Sequence, residues 1–392
     1  MKSKGKEMGS FTELPIPPPE YIEYAAKRAL EAIASWRSKW DQSKREKYNL
    51  ACSRLHKNRV VTGFLLRYYD VAPSAVDAPI FRIGSNVYHL YVEPGWTRKT
   101  NIDEALAFPL ERNEYSLPTA DPREKVMHRY MDSLKQAGRI AWDAQTFRLM
   151  QILTTENGFK LQCAPGRYSS YLGTCEIMSD ELLRCLHDSG EDIPQAFEPS
   201  ADSRDIRQFK MVSDRLYNRM LHAHDREQLL RFQERDCKIG INVFLVLNTK
   251  DGPICLMYRR GKDVAEYPEI NHVMPAGTFQ HDSRRDLSYN QYSRAYSLKY
   301  KVLSELWEEC FEGQNYTEQR KLLYEGVIDL EDCQIPGKPE LFPIRDVMVL
   351  LAKNRAFVYA TGLGIDMLAA KPELTVLLVI DDPSFATKYR DY

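Results

Sequence analysis

The sequence predicts an α+β protein with more than one domain. Apolar residues that recur every three or four positions indicate helices, and apolar runs joined by turn residues indicate antiparallel strands. The chain has 392 residues, which exceeds one typical domain, and 43% of them are hydrophobic, enough for buried cores. We expect a helix-rich N-terminal domain over 1–123, a small α+β segment over 124–235 and a third domain over 236–392.

Charge and cysteine usage exclude several classes of protein. The net charge of −1 gives no overall attraction to nucleic acid or to a membrane surface. The start of the chain lacks the apolar core of a secretory signal, and no apolar run approaches a membrane span. The eight cysteines form no Cys-any-any-Cys pair, which favours reduced thiols over a zinc site or a disulfide framework. We therefore predict a cytoplasmic protein with no membrane partner and no indicated nucleic-acid partner.

The N-terminal part is predicted to begin with two helices. The first carries six apolar residues at helical spacing: Ile22, Ala26, Ala29, Ile33, Trp36 and Trp40. The second covers Ser43 to His56. Residues 59–92 suit either strands or a further helix, and the polar stretch from Thr97 to Arg123 is predicted to be a boundary.

The middle segment is predicted to contain helices and one hairpin. Glu124 to Ala137 has a helical pattern, and Ser179 to His187 is expected to form a helix capped by its serine. Phe147 to Thr154 and Phe159 to Ala164 are joined by an Asn-Gly turn, a strong hairpin signal. A long charged helical stretch is expected from Asp205 to Arg235.

The last part of the chain is predicted to contain two pairs of strands. Ile241 to Leu247 and Ile254 to Tyr258 flank a turn and are expected to form a hairpin. Ala356 to Ala360 and Leu374 to Ile380 suit buried strands. Gly362 and Gly364 lie between these two runs and suit either phosphate binding or a tight turn, and Asp381 and Asp382 are candidates for an additional carboxylate near a cleft.

The segment from Ser304 to Gly313 carries the most informative pattern. At about 100° per residue, four glutamates fall on one side of a helix: Glu305, Glu308, Glu309 and Glu312. Leu303, Leu306, Trp307 and Cys310 fall on the other side. A solvated surface is one interpretation of the acidic side. Like charges at these spacings repel by about 0.2–0.5 kcal/mol per pair, so a bound Mg²⁺ ion is the alternative.

The residues around this helix resemble the Nudix superfamily, hydrolases of nucleoside diphosphates linked to another group. Glu305-Leu306-Trp307-Glu308-Glu309 matches the Glu-aliphatic-any-Glu-Glu part of the family signature, and Pro275-Ala276-Gly277 is similar to the turn that carries its first glycine. The resemblance covers about residues 236–392 and implies an α/β/α sandwich with a mixed sheet.

The sequence departs from the family signature in four places. Ser304 stands where the family has Arg, and Ser283 occupies the place of the first Glu counted from Gly277. Gly313 comes two positions late, and 13 extra residues separate Gly277 from Glu305. Lys301 could replace the missing Arg by pairing with Glu305 one turn along. The inserted segment, which contains Tyr289 and Tyr292, is either a surface loop or a segment that covers the substrate.

The resemblance implies a metal-dependent hydrolase that cleaves a diphosphate linkage. Glu305, Glu308 and Glu309 would be the catalytic and metal-binding residues, with Mg²⁺ as the cofactor and Mn²⁺ as an alternative. Arg259, Arg260 and Gly277 would bind a nucleotide-like substrate. The second hypothesis is an inactive Nudix-like module that senses a nucleotide or binds a protein. The first 235 residues would shape specificity, form a homodimer or recruit a partner.

Overall fold

The computed structural model describes most of the chain from residue 53 onward. The described ranges are 53–57, 60–69, 81–109 without 84 and 94, 122–136, 145–189 without 157, 229–261, 269–280, 295–311 and 317–392 without 326 and 336, together with residues 23, 26, 27, 30 and 31. The two helices predicted before residue 57, the charged stretch 205–235, the inserted segment and Glu312 lie largely or wholly outside them.

The described residues form both helices and strands, which confirms the α+β class. The helices are α1 Val60–Tyr68, α2 Pro122–Gln136, α3 Tyr168–Tyr171, α4 Ile177–Ser189, α5 Leu298–Glu305, α6 Thr317–Tyr324, α7 Pro343–Ala352 and α8 Pro383–Lys388. The strands before residue 200 are β1 Phe81–Ile83, β2 Asn86–Tyr88, β3 Leu90–Tyr91, β4 Thr100–Asn101, β5 Gln145–Thr155 and β6 Gly158–Arg167. The later strands are β7 Gly240–Thr249, β8 Gly252–Cys255, β9 Met257–Arg259, β10 Asn271–Val273, β11 Ala276–Thr278, β12 Ala356–Asp366 and β13 Lys371–Ile380.

A seven-stranded mixed sheet forms the centre of the molecule. Its main path runs β11-β7-β13-β12-β3, with β8 beside β7 and β4 beside β12. Strands β7 and β13 are parallel, with Ile241 opposite Leu374, and the other pairs are antiparallel. Alternate residues along most of β7 and β13 are buried and the residues between them are partly exposed, so one face of these central strands lies in the core.

Residues before 123 contribute to this central sheet. Strand β3 pairs with the end of β12 and β4 pairs with its middle, where Thr100 lies opposite Ala360. The region 59–92, which suited either structure, contains both helix α1 and short strands. Strands from before residue 123 and from after residue 235 therefore share one sheet.

The middle segment contains the predicted hairpin and an unpredicted helical junction. Strands β5 and β6 pair antiparallel with Thr155 opposite Gly158, as the Asn-Gly turn predicts. The predicted serine cap at Ser179 is wrong. Helix α4 continues without interruption from α3 through a π-helical turn, Leu172–Glu176, so Ser179 lies inside a helix and is buried.

The predicted hairpin is confirmed for β7 and β8, whereas Met257–Arg259 form the separate strand β9, which pairs with β10. The two later apolar runs form strands β12 and β13 as predicted, but the interpretation of the glycines is wrong. Gly362 and Gly364 lie within β12, where they form neither a phosphate loop nor a tight turn. A Cβ at 364 would lie 3.3 Å from the side chain of Leu90, so the glycine lets β3 approach closely. Asp382 caps α8 and pairs with Arg355, which leaves it a structural role.

One cluster of buried apolar side chains runs through all the described segments. It includes Val61 from α1, Leu149 from β5, Leu182 from α4 and Leu374 from β13. In the part of the chain that the structure describes, no helix is both long enough and apolar enough to cross a membrane.

Candidate functional site

The predicted carboxylate helix forms with its apolar side in the core. Ser297 begins it, since its side chain accepts a hydrogen bond from the backbone N–H of Tyr300 at 3.2 Å. Helix α5 then continues into a π-helical turn, Leu306–Cys310. Leu306 and Trp307 are fully buried, which confirms the predicted apolar side.

The acidic side of this helix is also buried, which argues against the solvated surface. Glu305 is 7% exposed and Glu308 is 8% exposed. The expectation that the glutamates share one face at about 100° per residue is wrong beyond residue 305, because a π-helical turn is wider than an α-helical one. The turn consequently directs the carboxylates to different partners.

Glu305 and Glu309 both reach the strand that carries the predicted glycine turn. The backbone N–H of Ala276 donates a hydrogen bond to Glu309 Oε2 at 2.8 Å. The Glu305 carboxylate lies against Gly277, where an added Cβ would be 2.0 Å from Oε1. A glycine is therefore required at 277 for this approach, and two of the three predicted site carboxylates meet there.

Lys301 pairs with Glu305, as the sequence predicted. The Lys301 ammonium lies 2.7 Å from Glu305 Oε1, and both side chains are almost fully buried. Removing one partner of such a pair would leave an uncompensated buried charge. Lys301 thus holds the carboxylate in position against Gly277.

Glu308 is directed away from the turn and toward helix α6. Its Oε2 lies 3.1 Å from the Arg320 guanidinium. Burial raises the pKa of the Glu309 carboxyl, although the hydrogen bond from Ala276 and the charge of Arg260 oppose the rise. The three predicted carboxylates therefore form a pair at the turn and a separate ion pair.

The two predicted arginines have different environments. Arg259 is exposed, with 69% of its side chain accessible, and pairs with Glu269 at 3.4 Å. Arg260 is half-buried, lies 3.4 Å from the Tyr258 hydroxyl, and acts electrostatically on Glu309. Side chains alternate along an extended segment, so 258 and 260 share the side that faces the carboxylates and 259 does not. The structure thus joins Arg260 to the site and places Arg259 outside it.

Aromatic residues that the sequence did not indicate line the region around Arg260. The rings of Tyr258 and His272 are 6.2 Å apart, and those of Tyr88 and His272 are 6.0 Å apart. Burial lowers the pKa of His272 to about 4, and Arg260 contributes to the shift, so the ring is neutral near pH 7. These residues come from β2, β9 and β10, which no local pattern brings together.

A further charged pair lies at the start of β13. Glu373 accepts a hydrogen bond from Asn242 Nδ2 at 2.8 Å and pairs with Lys371 at 2.7 Å. It acts electrostatically on Tyr88 and His272. We call the region bounded by Gly277, Glu305, Glu309, Arg260 and these aromatic residues the acidic cleft.

The acidic cleft brings together two of the three carboxylates that were predicted to bind a metal. Among the described residues, no three His, Cys, Asp or Glu side chains are grouped closely enough to hold a metal ion. Mg²⁺ is commonly bound by one or two carboxylates together with water and substrate phosphates. Glu305 and Glu309 supply such a pair beside Arg260, so the donor set fits an ion that is bound together with a phosphate ligand.

No protein-family model matches the chain, and no curated protein is significantly similar to it. The Nudix resemblance therefore rests on the residues of the signature and on their positions in the acidic cleft.

Proposed function

We propose that the acidic cleft binds and hydrolyses a nucleotide-like diphosphate in a metal-dependent reaction, on a Nudix-like α/β/α sandwich. The observation that supports this most directly is the meeting of Glu305 and Glu309 at Gly277. Gly277 is similar to the first glycine of the family signature and lies far in the sequence from the two glutamates. The inserted segment between Gly277 and Glu305 does not prevent their approach.

Each residue of the cleft has a distinct role in this proposal. Glu305, held by Lys301, and Glu309, held by the N–H of Ala276, would bind the divalent cation. When bound, the cation neutralises phosphate charge and lowers the pKa of a water molecule. Arg260 binds phosphate oxygens, for which a guanidinium is well shaped.

A second function is supported by the internal partners of the carboxylates. Glu305 pairs with Lys301, Glu308 pairs with Arg320, and Glu309 accepts a backbone hydrogen bond. These contacts compensate the like charges of the helix without a metal. They support an inactive Nudix-like module that binds a nucleotide or a protein, with the helix as a structural element.

Calorimetric titration of the full chain with Mn²⁺ and Mg²⁺, with and without ADP, tests the proposal. We expect Glu309→Gln to weaken metal binding by about tenfold or more and to lower turnover by about 100-fold. Turnover is measured as phosphate release from a panel of nucleoside diphosphate conjugates.

Glu308→Gln is the matched control, because it is the same change on the adjacent residue, whose contact is Arg320. It should change metal affinity by less than about twofold while lowering stability. Equal losses of metal affinity in Glu309→Gln and Glu308→Gln would contradict the assignment of Glu305 and Glu309 as the metal-binding pair. ADP binding without turnover or metal dependence would favour the binding module instead.

A further inference from the structure

Two buried cysteines contact each other between the helical junction before α4 and the start of β7. Cys175 lies in the π-helical turn Leu172–Glu176, and Cys237 lies in the segment that leads into β7. Their sulfur atoms are 3.8 Å apart, although the two residues are 62 positions apart in the chain. A disulfide bond measures about 2.05 Å, so the sulfur atoms need to approach by less than about 2 Å to form one.

The surroundings of Cys237 are positively charged. The guanidinium groups of Arg235 and Arg148 are both buried and both act electrostatically on this thiol. Burial acts to raise the pKa of Cys237, but the hydrogen bond with Cys175 and the charge of Arg235 lower it to about 7. The thiolate is the nucleophilic form of cysteine, so Cys237 has the character of an attacking sulfur.

The surroundings of Cys175 instead keep its proton in place. Burial and the hydrogen bond with Cys237 raise the pKa of the Cys175 thiol well above its usual range. Its sulfur lies 3.7 Å from the carbonyl oxygen of Asp236, and the Asp236 N–H donates to the Thr174 hydroxyl at 3.0 Å. These contacts hold the π-helical turn against the segment that carries Cys237. One sulfur of the pair is therefore suited to attack and the other to follow it.

Cys163 shows that burial alone does not produce this chemistry. It is as inaccessible as the other two cysteines, and burial raises its pKa to about 12 although Tyr296 opposes the rise. A thiol in that state is protonated and unreactive. The buried arginines and the second sulfur are what distinguish the pair formed by Cys175 and Cys237.

We propose that Cys175 and Cys237 form a site of reversible oxidation, at which a hydroperoxide such as H₂O₂ converts the two thiols into a disulfide. The Cys237 thiolate attacks one peroxide oxygen, the O–O bond breaks, and the departing hydroxide takes up the proton that Cys237 had released. The Cys175 sulfur then attacks the resulting sulfenic acid. The S–O bond breaks, the S–S bond forms, and the Cys175 proton leaves with the hydroxyl group as a second water.

The electrons balance, because the two thiols lose two electrons that reduce one peroxide to two waters. Peroxide reaches the buried sulfur atoms through local opening of the fold. The disulfide closes a loop from residue 175 to residue 237 and reduces the conformational freedom of the unfolded chain. The oxidised chain should consequently resist unfolding better than the reduced chain. The reaction uses no group of the acidic cleft, so it is independent of the proposed hydrolase.

Peptide mapping of the full chain after treatment with H₂O₂ tests the proposal. The folded protein is oxidised, unfolded in the presence of an alkylating agent and digested without reduction, and its peptides are analysed by mass spectrometry. We expect a linked pair of peptides that contains Cys175 and Cys237 and has lost two hydrogens, whereas Cys163 is recovered alkylated. The urea midpoint of the oxidised chain should rise, and dithiothreitol should return it to that of the reduced chain.

Three variants separate the roles of the sulfur atoms. In Cys175→Ser the sulfenic acid of Cys237 should accumulate and react with dimedone, whereas in Cys237→Ser the thiol of Cys175 should remain reduced. Cys255→Ala removes an exposed thiol and should leave the linked peptides unchanged, which excludes a link that passes through that cysteine.

Two results would overturn the proposal. The first is recovery of both Cys175 and Cys237 as alkylated thiols after peroxide has fully oxidised Cys255. The second is a link that forms only when the chain is unfolded in urea before oxidation, because the folded contact would then have no part in it. Both results are obtained with the unsubstituted chain, so they do not depend on whether a cysteine variant folds.

Discussion

The acidic cleft and a second buried polar cluster show how differently one fold uses buried charge. The second cluster, which we call the inner cluster, consists of Thr174, Cys175, Arg235, Asp236 and Cys237, all almost fully buried. It joins the π-helical turn before α4 to the segment that leads into β7. Both regions contain charged groups that are withdrawn from water.

The groups of the inner cluster are bonded to one another and to the backbone. Arg235 donates to the carbonyl oxygen of Leu229 at 2.8 Å, and Asp236 Oδ2 accepts from the Arg167 N–H at 2.9 Å. The sulfur atoms of Cys175 and Cys237 are 3.8 Å apart. The acidic cleft instead has half-buried tyrosine rings and a half-buried Arg260. Burial of charge alone therefore does not mark a ligand site, and partial exposure is what distinguishes the acidic cleft from the inner cluster.

Acidification should have the largest effect, a loss of folding stability that arises from histidines in and next to the acidic cleft and not from the inner cluster. Burial lowers the pKa of His56 and His272 to about 4 and that of His89 to about 3, and Tyr88 connects these histidines to the cleft. The unfolded chain binds protons near pH 6.5 and the folded chain does not. Stability should thus fall as pH decreases from about 6.5 to 4, by on the order of 3 kcal/mol per histidine.

Urea unfolding at pH 7.5 and pH 4.5 measures this loss. His272→Phe should reduce the dependence on pH, and the exposed His128→Gln should leave it unchanged. An unaltered pH dependence in His272→Phe would show that this histidine is not buried in its neutral form.

Lys301→Met should have the next largest effect, since it leaves the Glu305 carboxylate buried without its cation. We expect the free energy of unfolding to fall by about 3–5 kcal/mol, measured by chemical denaturation. Adding Glu305→Gln should recover a large part of the loss without restoring metal binding. Lys299→Met on the same helix removes a half-exposed pair with Asp103 and should cost less than about 1 kcal/mol. Similar losses in the two lysine variants would contradict the difference in burial.

Cys175→Ala should have a smaller effect, and only on the free energy of unfolding. The substitution removes one buried sulfur from the inner cluster and should cost about 1–2 kcal/mol. The nucleotide and metal affinities that we propose for the acidic cleft should not change, because the inner cluster contributes no group to it. The exposed Cys255→Ala should change stability by less than about 0.5 kcal/mol. A loss of ligand affinity in Cys175→Ala would contradict this separation and show that the inner cluster affects the acidic cleft.

Alkylation should reveal the smallest difference that we predict, which is the difference in reactivity between an exposed thiol and a thiol of the inner cluster. Burial acts to raise the pKa of the Cys237 thiol, but the hydrogen bond with Cys175 and the charge of Arg235 lower it to about 7. Cys237 is nevertheless inaccessible, so iodoacetamide should modify the exposed Cys255 before Cys237 in the folded chain. Mass spectrometry of digested protein measures the order. Early modification of Cys237 would mean that the inner cluster opens readily.

Local pattern predicted a large part of the fold. The β5–β6 hairpin followed from an Asn-Gly turn, and β7, β12 and β13 followed from apolar runs, because these signals depend on neighbouring residues. The serine cap at Ser179 failed because α3 and the π-helical turn precede α4, and a helix that is already begun needs no cap. The glycines of β12 were misinterpreted because the approach of β3 is a contact between distant segments.

Some residues of the candidate site could also be predicted from the sequence, and others could not. Glu305, Lys301 and Gly277 came from the sequence because a helical repeat and a family signature connect them. Arg259 and Arg260 were indistinguishable without knowing which side of the strand faces the helix. Tyr88 and His272 gave no signal, because 184 residues separate them along the chain (272 − 88 = 184).

The sequence by itself determined the α+β class, the apolar side of the carboxylate helix and the Lys301–Glu305 pair, since each depends on periodicity within one element. Only the tertiary structure decided that β3 and β4 join the central sheet, that Glu308 pairs with Arg320, and that Arg260 lies among aromatic rings. These features are contacts between elements far apart in the chain. Their geometry is set by sheet pairing and by the width of one π-helical turn, which residue periodicity does not specify.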